Sequence, residues 1–295
     1  MTPIEIQLSA ASRLFSTAVI KEMSKKGESA LFARLVKEAG VQEMVGRNLR
    51  VADAFDAVFS FLRAVGNRDE YIYKAALTHK VLLGTHSLNT ASMLTEFRVG
   101  LSRADLVILN GTATVYEIKS ERDSLKRLEN QLEAYRRVFA QVCVIASEEY
   151  IDRILQLSPP DVGVLALGRR HRITTVRKPQ NDPRRICPVT LFESLRISEA
   201  KQILRNLGIE IPAVPNTQMH SAIRTEFSRL DPASTHSQMV EVLKASRSLV
   251  SLGDLVDKLP SSLHAAALTV SLPRKLHGNL IAAINTPLER ALGWL

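Results

Sequence analysis

The stretch from Thr95 to Phe139 decides the fold, and it reads TEFRVGLSRADLVILNGTATVYEIKSERDSLKRLENQLEAYRRVF. Its hydrophobic pattern predicts two strands, a tight turn, a third strand and then a long amphipathic helix. The dipeptide Asn110-Gly111 is a hairpin signal between two apolar runs. Asp105, Glu117 and Lys119 fall in these strands, where a small hydrophobic sheet should carry no charge. Charged residues at these positions therefore indicate a chemical role.

The register of the predicted hairpin brings the charges together. With a three-residue loop at 110–112, Asp105 lies directly opposite Glu117, and opposite residues share a face. Lys119, two residues further on, points to that same face. Two facing carboxylates repel each other unless a positive charge lies between them, and a divalent cation with a nearby ammonium would supply it. A two-residue loop would instead put the carboxylates on opposite faces.

The following helix carries a glutamine where packing does not need one. We predict that this helix begins at Ser120 or Asp123 and runs to Phe139, with leucines and aromatic residues recurring at three- and four-residue steps. Gln131 lies at the border of this apolar stripe, one turn before Tyr135. Gln131 is therefore our candidate for orienting the substrate or the nucleophilic water. Tyr135 would contribute a hydroxyl at the stripe's edge, although its spacing alone is more typical of a core residue.

These residues resemble a known superfamily. Asp105 followed by Glu117-Ile118-Lys119 is similar to the core motif of the PD-(D/E)XK nuclease superfamily, and Gln131-Leu132-Glu133-Ala134-Tyr135 is similar to the Gln-hydrophobic-x-x-Tyr motif of its RecB-like branch. The chain also resembles a group of small bacterial proteins placed in that superfamily. Residues 71–177 carry the likeness best. Ala104 departs from it, because the signature has proline there.

The resemblance implies an α/β fold with a restriction-endonuclease-like mixed β-sheet core flanked by helices. It implies Mg²⁺-dependent (or Mn²⁺-dependent) hydrolysis of phosphodiester bonds, with DNA rather than RNA as the expected substrate. Lys119 would hold the nucleophilic hydroxide or stabilise the transition state by its charge. The expected metal ligands are Asp105, Glu117, the backbone carbonyl of Ile118, and Glu96.

Glu96 lies in a predicted short strand, 93–99, just upstream of Asp105. In the resembled superfamily, an acidic residue in this position commonly helps to bind metal or to position water. The alternative is a strand-end carboxylate paired with Arg98 or Arg103.

Two other functions compete with the nuclease. The chain could be a nucleic-acid-binding or protein-interaction module on the same fold that has lost catalysis. It could also be a structural adaptor whose acids are only paired with arginines.

The charge balance favours a polyanionic partner. The chain has 39 Lys and Arg against 30 Asp and Glu, a net charge of +9 and a pI near 9.7. The competing interpretation of the net charge is a generally basic, solvated surface. For the arginine-rich run from 169 to 185, a further alternative is an edge hairpin whose charges prevent aggregation. The candidate nucleic-acid contacts are Arg103, Arg122, Lys126, Arg127, Arg169, Arg170 and Arg172.

The cysteines and the apolar runs indicate the cellular compartment. Cys143 and Cys187 have no CxxC spacing, so neither a zinc cluster nor a disulfide framework is indicated. The N-terminus lacks the pattern of a secretory signal, and no apolar run of about 18 residues predicts a membrane span. We therefore expect the protein to lie in a reducing cytoplasm.

The chain divides into three predicted segments. Residues 1–88 read as helices, punctuated by Gly27, Gly40, Gly46 and Gly66 and including an apolar stripe that ends at Val65. Residues 89–180 form the nuclease-like core, and residues 181–295 form a C-terminal helical region. That region carries no chemical motif, and roles in specificity, dimerisation or partner binding all stay open. A homodimer through the helical regions is one partner the sequence allows.

Overall fold

The computed structural model describes residues 3–41, 49–64, 66 and 68–295. Within these ranges, six strands form one mixed sheet in sequential order. The first three strands are antiparallel, the third to fifth are parallel, and the sixth is antiparallel to the fifth. The strands are β1 (Ser92–Val99), β2 (Ser102–Leu109), β3 (Ala113–Lys119), β4 (Gln141–Ser147), β5 (Gly163–Leu167) and β6 (Ile173–Arg177).

The hairpin between β2 and β3 has the predicted loop. Leu109 pairs with Ala113, so residues 110–112 form a three-residue connection, and the Asn110 N–H donates to the Thr112 carbonyl (3.0 Å). Gly111 has φ +89°, a conformation that favours glycine. The loop length on which the predicted register depends is thus confirmed.

Helices precede and follow the strands of this sheet along the chain. The N-terminal ones are α1 (Pro3–Leu14), α2 (Thr17–Lys26), α3 (Ala30–Glu38), α4 (Val51–Leu62) and α5 (Glu70–Leu77), and a π-helical turn continues α5 to Leu82. Asp69 caps α5 as predicted by accepting from the Ile72 N–H (3.3 Å). Gly27, Gly40 and Gly66 follow helix ends, whereas Gly46 and Val65 lie outside the described residues.

The remaining helices confirm the predicted α/β class, a mixed sheet with helical N-terminal and C-terminal regions. Within the described ranges, every helix is too short or too polar to cross a bilayer. They are α6 (Leu128–Arg136), α7 (Ile151–Leu157), α8 (Pro188–Glu193), α9 (Ile197–Asn206), α10 (Asn216–Phe227), α11 (Pro232–Ser246), α12 (Gly253–Val256), α13 (His264–Val270), α14 (His277–Asn285) and α15 (Leu288–Ala291).

Two apolar clusters cover the two faces of the sheet. On β2, Leu106 and Ile108 belong to the first cluster, and Val107 and Leu109 belong to the second, as strand alternation requires. The first cluster packs α1–α5 and α12–α15 against the sheet, and the second packs α6–α11. The first cluster therefore joins side chains of all three predicted segments, and the division of the chain at 88 and 180 stays a prediction.

The helix predicted from Ser120 or Asp123 was placed too early. Asp123 Oδ2 instead accepts from the backbone N–H and the hydroxyl of Ser120 (2.8 and 2.6 Å), which closes a turn. α6 begins only at Leu128 and ends at Arg136. Residues 120–127 consequently form a loop beside the end of β3, in which Ser120 and Leu125 are buried.

A buried histidine makes stability depend on pH. His236 on α11 is almost fully buried, and burial together with the charge of Arg185 lowers its pKa from 6.5 to about 4. The unfolded chain therefore binds more protons than the folded one as pH falls from about 7 to 4, and stability falls with it. We expect this histidine to cost about 2 kcal/mol of unfolding free energy at pH 5.

Urea unfolding at pH 7.5 and pH 5 of the wild type and His236→Leu measures this cost. The variant should lose less stability on acidification, whereas replacing the exposed His220 in the same way should not change the pH dependence. Equal pH dependence in His236→Leu and the wild type would contradict the assignment.

Candidate active site

The end of β3 brings a carboxylate and an ammonium into contact. Glu117 and Lys119 are two residues apart on one strand and both are buried, as predicted for residues that share a face. Lys119 Nζ lies 2.7 Å from Glu117 Oε1 and 3.0 Å from Gln131 Oε1 on α6. Two acceptors therefore fix the ammonium between β3 and α6.

Tyr135 completes this group from the next turn of α6. Its hydroxyl lies 2.8 Å from Glu117 Oε2 and 2.8 Å from the backbone carbonyl of Arg103. Tyr135 is fully buried, and its hydroxyl is the part that reaches the site. Burial raises the pKa of Glu117, and the contacts with Lys119 and Tyr135 oppose that rise. Tyr135 thus positions Glu117.

Asp105 takes the place of a backbone acceptor. The β2–β3 ladder has its last pair at Leu106 and Tyr116, and beyond it Asp105 Oδ2 accepts from the Ile118 N–H (2.7 Å). Burial, followed by repulsion from Glu117 and Glu70, raises the pKa of Asp105 well above its ordinary range. Its charge is therefore poorly compensated.

Three carboxylates form an acid cluster beside this position. Oxygens of Glu70, Glu96 and Asp105 all lie within 4.8 Å of one another. Glu96 therefore lies next to Asp105, as predicted, and Glu70 of α5 is a third member of the cluster that the sequence did not predict. Among the described residues, Glu117 lies outside this cluster, because its oxygens face Lys119 and Tyr135.

The backbone of β1 is distorted where it delivers Glu96. The register of the flanking pairs places Glu96 opposite Asp105, and Glu96 has φ +54°, a left-handed conformation that is costly for a residue with a Cβ. Here the core-facing side chains of β1 step from Leu94 to Phe97 instead of alternating, and β2 shows the same break. This irregularity turns the carboxylate toward α5.

Basic side chains offset the acid cluster. Lys74 Nζ, mostly buried, lies 2.5 Å from Glu70 Oε1 and 3.2 Å from Glu96 Oε1. Arg103 lies further off, 3.6 Å from Glu96 Oε2, so the alternative pairing predicted for Glu96 is present in loose form. Sequence reasoning missed Glu70 and Lys74, because an acid in the first turn of a helix is ordinary and no motif marks it.

The seven basic residues predicted to contact nucleic acid are exposed near one edge of the sheet. β3 and β5 are both parallel to β4, so their carboxyl ends meet there, and the β1–β2 turn lies at the same edge. Arg103 precedes Asp105 on β2. The others follow β3 (Arg122, Lys126 and Arg127) or β5 (Arg169, Arg170 and Arg172).

A buried arginine ties two parts of this edge together. Arg68, just before α5, donates from Nε to Glu121 Oε1 (2.6 Å) and from a terminal nitrogen to the Leu167 carbonyl (2.6 Å). Glu121 follows β3, and Leu167 ends β5. The loop after Lys119 and the basic turn after β5 are therefore held by one side chain.

The fold and the site define a mixed α/β protein with a buried acid–ammonium group and an acid cluster at one sheet edge. The chain belongs to the family described as Bacteriophage P4 protein cII, whose match spans residues 63–250. Protein cII of Enterobacteria phage P4 is 28% identical over 222 residues, which cover 73% of this chain and 72% of the phage protein. No solved structure shows significant similarity to the chain.

Proposed function

We propose that this protein is a Mg²⁺-dependent (or Mn²⁺-dependent) nuclease on a restriction-endonuclease-like fold of the PD-(D/E)XK type, and that it hydrolyses phosphodiester bonds of DNA. The observation that carries the proposal is that Asp105 accepts from the Ile118 N–H, between Glu117 and Lys119, which bond to each other at the end of the same hairpin. Gln131 and Tyr135 of α6 bond to this group. Carboxylates beside a fixed ammonium are suited to metal-assisted phosphoryl chemistry.

The acid cluster fits a hard divalent cation. Mg²⁺ prefers carboxylate oxygens, and three of them lie within 4.8 Å of one another. Burial and repulsion from Glu117 and Glu70 raise the pKa of Asp105, and a bound cation would oppose that rise. Glu70, Glu96 and Asp105 would hold the ion, and Glu117 and the carbonyl of Ile118 stay predicted further ligands. When bound, Mg²⁺ supplies charge neutralisation at phosphoryl oxygens and a more acidic water.

Side chains of the protein would stabilise and position the reacting groups. Lys119 would place its ammonium against the negative charge that develops on the phosphate, or hold the attacking hydroxide. Gln131 and Glu117 fix the position of Nζ, so the charge needs no reorganisation during the reaction. Tyr135 in turn fixes Glu117.

Charge and relatedness support the substrate and the setting. A net charge of +9 and seven basic residues near the site edge suit a nucleic-acid backbone, and the resemblance favours DNA over RNA. We place the activity in the cytoplasm, where the two free cysteines would stay reduced. The similarity to a phage protein supports a role in mobile elements or bacterial defence. A homodimer through the helical regions stays a prediction.

One observation favours a second function, a nucleic-acid-binding or protein-interaction module without catalysis. Lys74 already bridges Glu70 and Glu96, and Glu117 is fully bonded to Lys119 and Tyr135. Internal cations would then balance the acids without a metal.

Cleavage assays separate the two functions. Purified protein is incubated with single- and double-stranded DNA and RNA in Mg²⁺, Mn²⁺ or EDTA. We expect DNA cleavage that EDTA abolishes, and a rate at limiting Mg²⁺ that falls about tenfold in Glu96→Gln, because one ligand charge is lost. Glu289→Gln, at an exposed position on α15, is the matched control for the loss of a carboxylate elsewhere and should cleave as the wild type does.

The outcomes are distinct. Binding of nucleic acid with no cleavage in any metal would replace the nuclease by the binding module. Neither binding nor cleavage of nucleic acid would overturn the nuclease and the nucleic-acid-binding module, and would leave the protein-interaction module.

A further inference from the structure

The turn between β1 and β2 presents a leucine entirely to solvent. Val99 pairs with Ser102, so Gly100 and Leu101 form a two-residue turn. Gly100 has φ +57°, as the first position of a type II′ turn requires. Leu101 is 105% exposed, more than any other large apolar residue among those described. A single exposed leucine is ordinary on a protein surface, so its surroundings decide whether it means anything.

Two arginines flank this turn. Arg98 and Arg103 pair directly across the two strands, and like charges in this position are destabilising. Arg98 Nε donates to the Gly100 carbonyl (3.1 Å), and the Arg103 side chain makes the loose contact with Glu96. A local cost of this kind is expected where an anion compensates it.

The turn is held firmly and lies close to the candidate active site. Phe97 packs on Phe139, with ring centroids 5.7 Å apart, and the Tyr135 hydroxyl contacts the Arg103 carbonyl. Leu101 is two residues from Arg103, about 7 Å along the strand. The turn also lines a cleft of about 780 Å³ beside α6, so there is room next to the leucine.

We infer that this hairpin tip is a nucleic-acid finger, in which Arg98 and Arg103 contact backbone phosphates and Leu101 inserts between bases beside the scissile bond. Leucine is among the side chains that proteins insert between base steps, and arginine is the usual phosphate contact. This inference rests on the proposed nuclease function, since it names the part of the substrate that the tip contacts. It implies that the protein acts on a locally unstacked strand.

A DNA oligonucleotide carrying 2-aminopurine tests the finger, because this base fluoresces more strongly when it is unstacked. Binding is measured in EDTA, so that no cleavage is needed. Wild type should raise the fluorescence. Leu101→Ser should remove most of the rise and weaken binding about fivefold, whereas Val250→Ser, at a half-exposed position far along the chain, should change neither. Arg98→Ser should lower the dependence of log K on log salt by about one unit.

Different results would contradict the nucleic-acid finger and the nuclease function. Wild-type binding and fluorescence in Leu101→Ser, together with intact cleavage, would overturn the finger and leave the nuclease standing. A protein that raises the fluorescence through Leu101 but never cleaves supports the finger on a binding module. Absence of any DNA binding by the wild type would overturn the finger as well.

Discussion

Replacing Lys119 by methionine is expected to lower the rate of metal-dependent DNA cleavage about 10³-fold, the size of loss that follows removal of one preorganised group that stabilises transition-state charge. Methionine keeps the unbranched apolar stem of lysine and removes only the charge. The proposal predicts that binding of DNA changes little, because Lys119 is buried and the basic residues around the edge supply the phosphate contacts. Single-turnover cleavage and equilibrium binding measure the two effects separately.

Stability has to be controlled in this experiment. Without Lys119, Glu117 would keep a buried charge with the neutral donors Tyr135 and Gln131, and breaking a buried pair in this way costs about 3–5 kcal/mol. The double variant Glu117→Gln with Lys119→Met removes both charges and should fold more stably than the single variant while remaining inactive. Lys258→Met, at an exposed position, should cleave normally. A folded Lys119→Met protein that cleaves at the wild-type rate would contradict the role given to Lys119.

The part of the site on neighbouring strands could be predicted from the sequence. Register follows from loop length, so the loop at 110–112 was enough to place Asp105 beside the end of β3, and strand alternation placed Glu117 and Lys119 on one face. The helical period likewise brought Gln131 to the correct border. Local patterns of this kind depend on residues close together in the chain.

The rest of the site depends on packing that no local pattern encodes. Glu70 reaches Asp105 from a helix 35 residues earlier in the chain, and it does so because α5 packs on the first face of the sheet. The break in alternation at Glu96 is likewise invisible in a run of residues that reads as an ordinary strand. The start of α6 was misplaced because Ser120 and Asp123 satisfy each other in a turn, although both residue types also cap helices.

Arg68→Met is expected to lower the free energy of unfolding by about 3–5 kcal/mol, as large a loss as that expected for Lys119→Met. Arg68 is 3% exposed, and its guanidinium satisfies Glu121 and the carbonyls of Leu167 and Gly168 together. Methionine would leave a buried carboxylate whose remaining donor is the Gly66 N–H (2.7 Å). Urea unfolding at pH 7.5 gives the loss, provided that the m-value is unchanged.

Two further variants separate lost charge pairing from lost packing. Adding Glu121→Gln to Arg68→Met should recover part of the stability, because the amide removes the unpaired charge and still accepts from Gly66. Arg229→Met breaks an exposed pair with Glu226 and should cost less than about 1 kcal/mol. A loss below 1 kcal/mol in Arg68→Met would mean that Arg68 and Glu121 are solvated in solution. In that event the loop after Lys119 would not be tied to β5, and the rigid placement of the Lys119 ammonium would lose one of its supports.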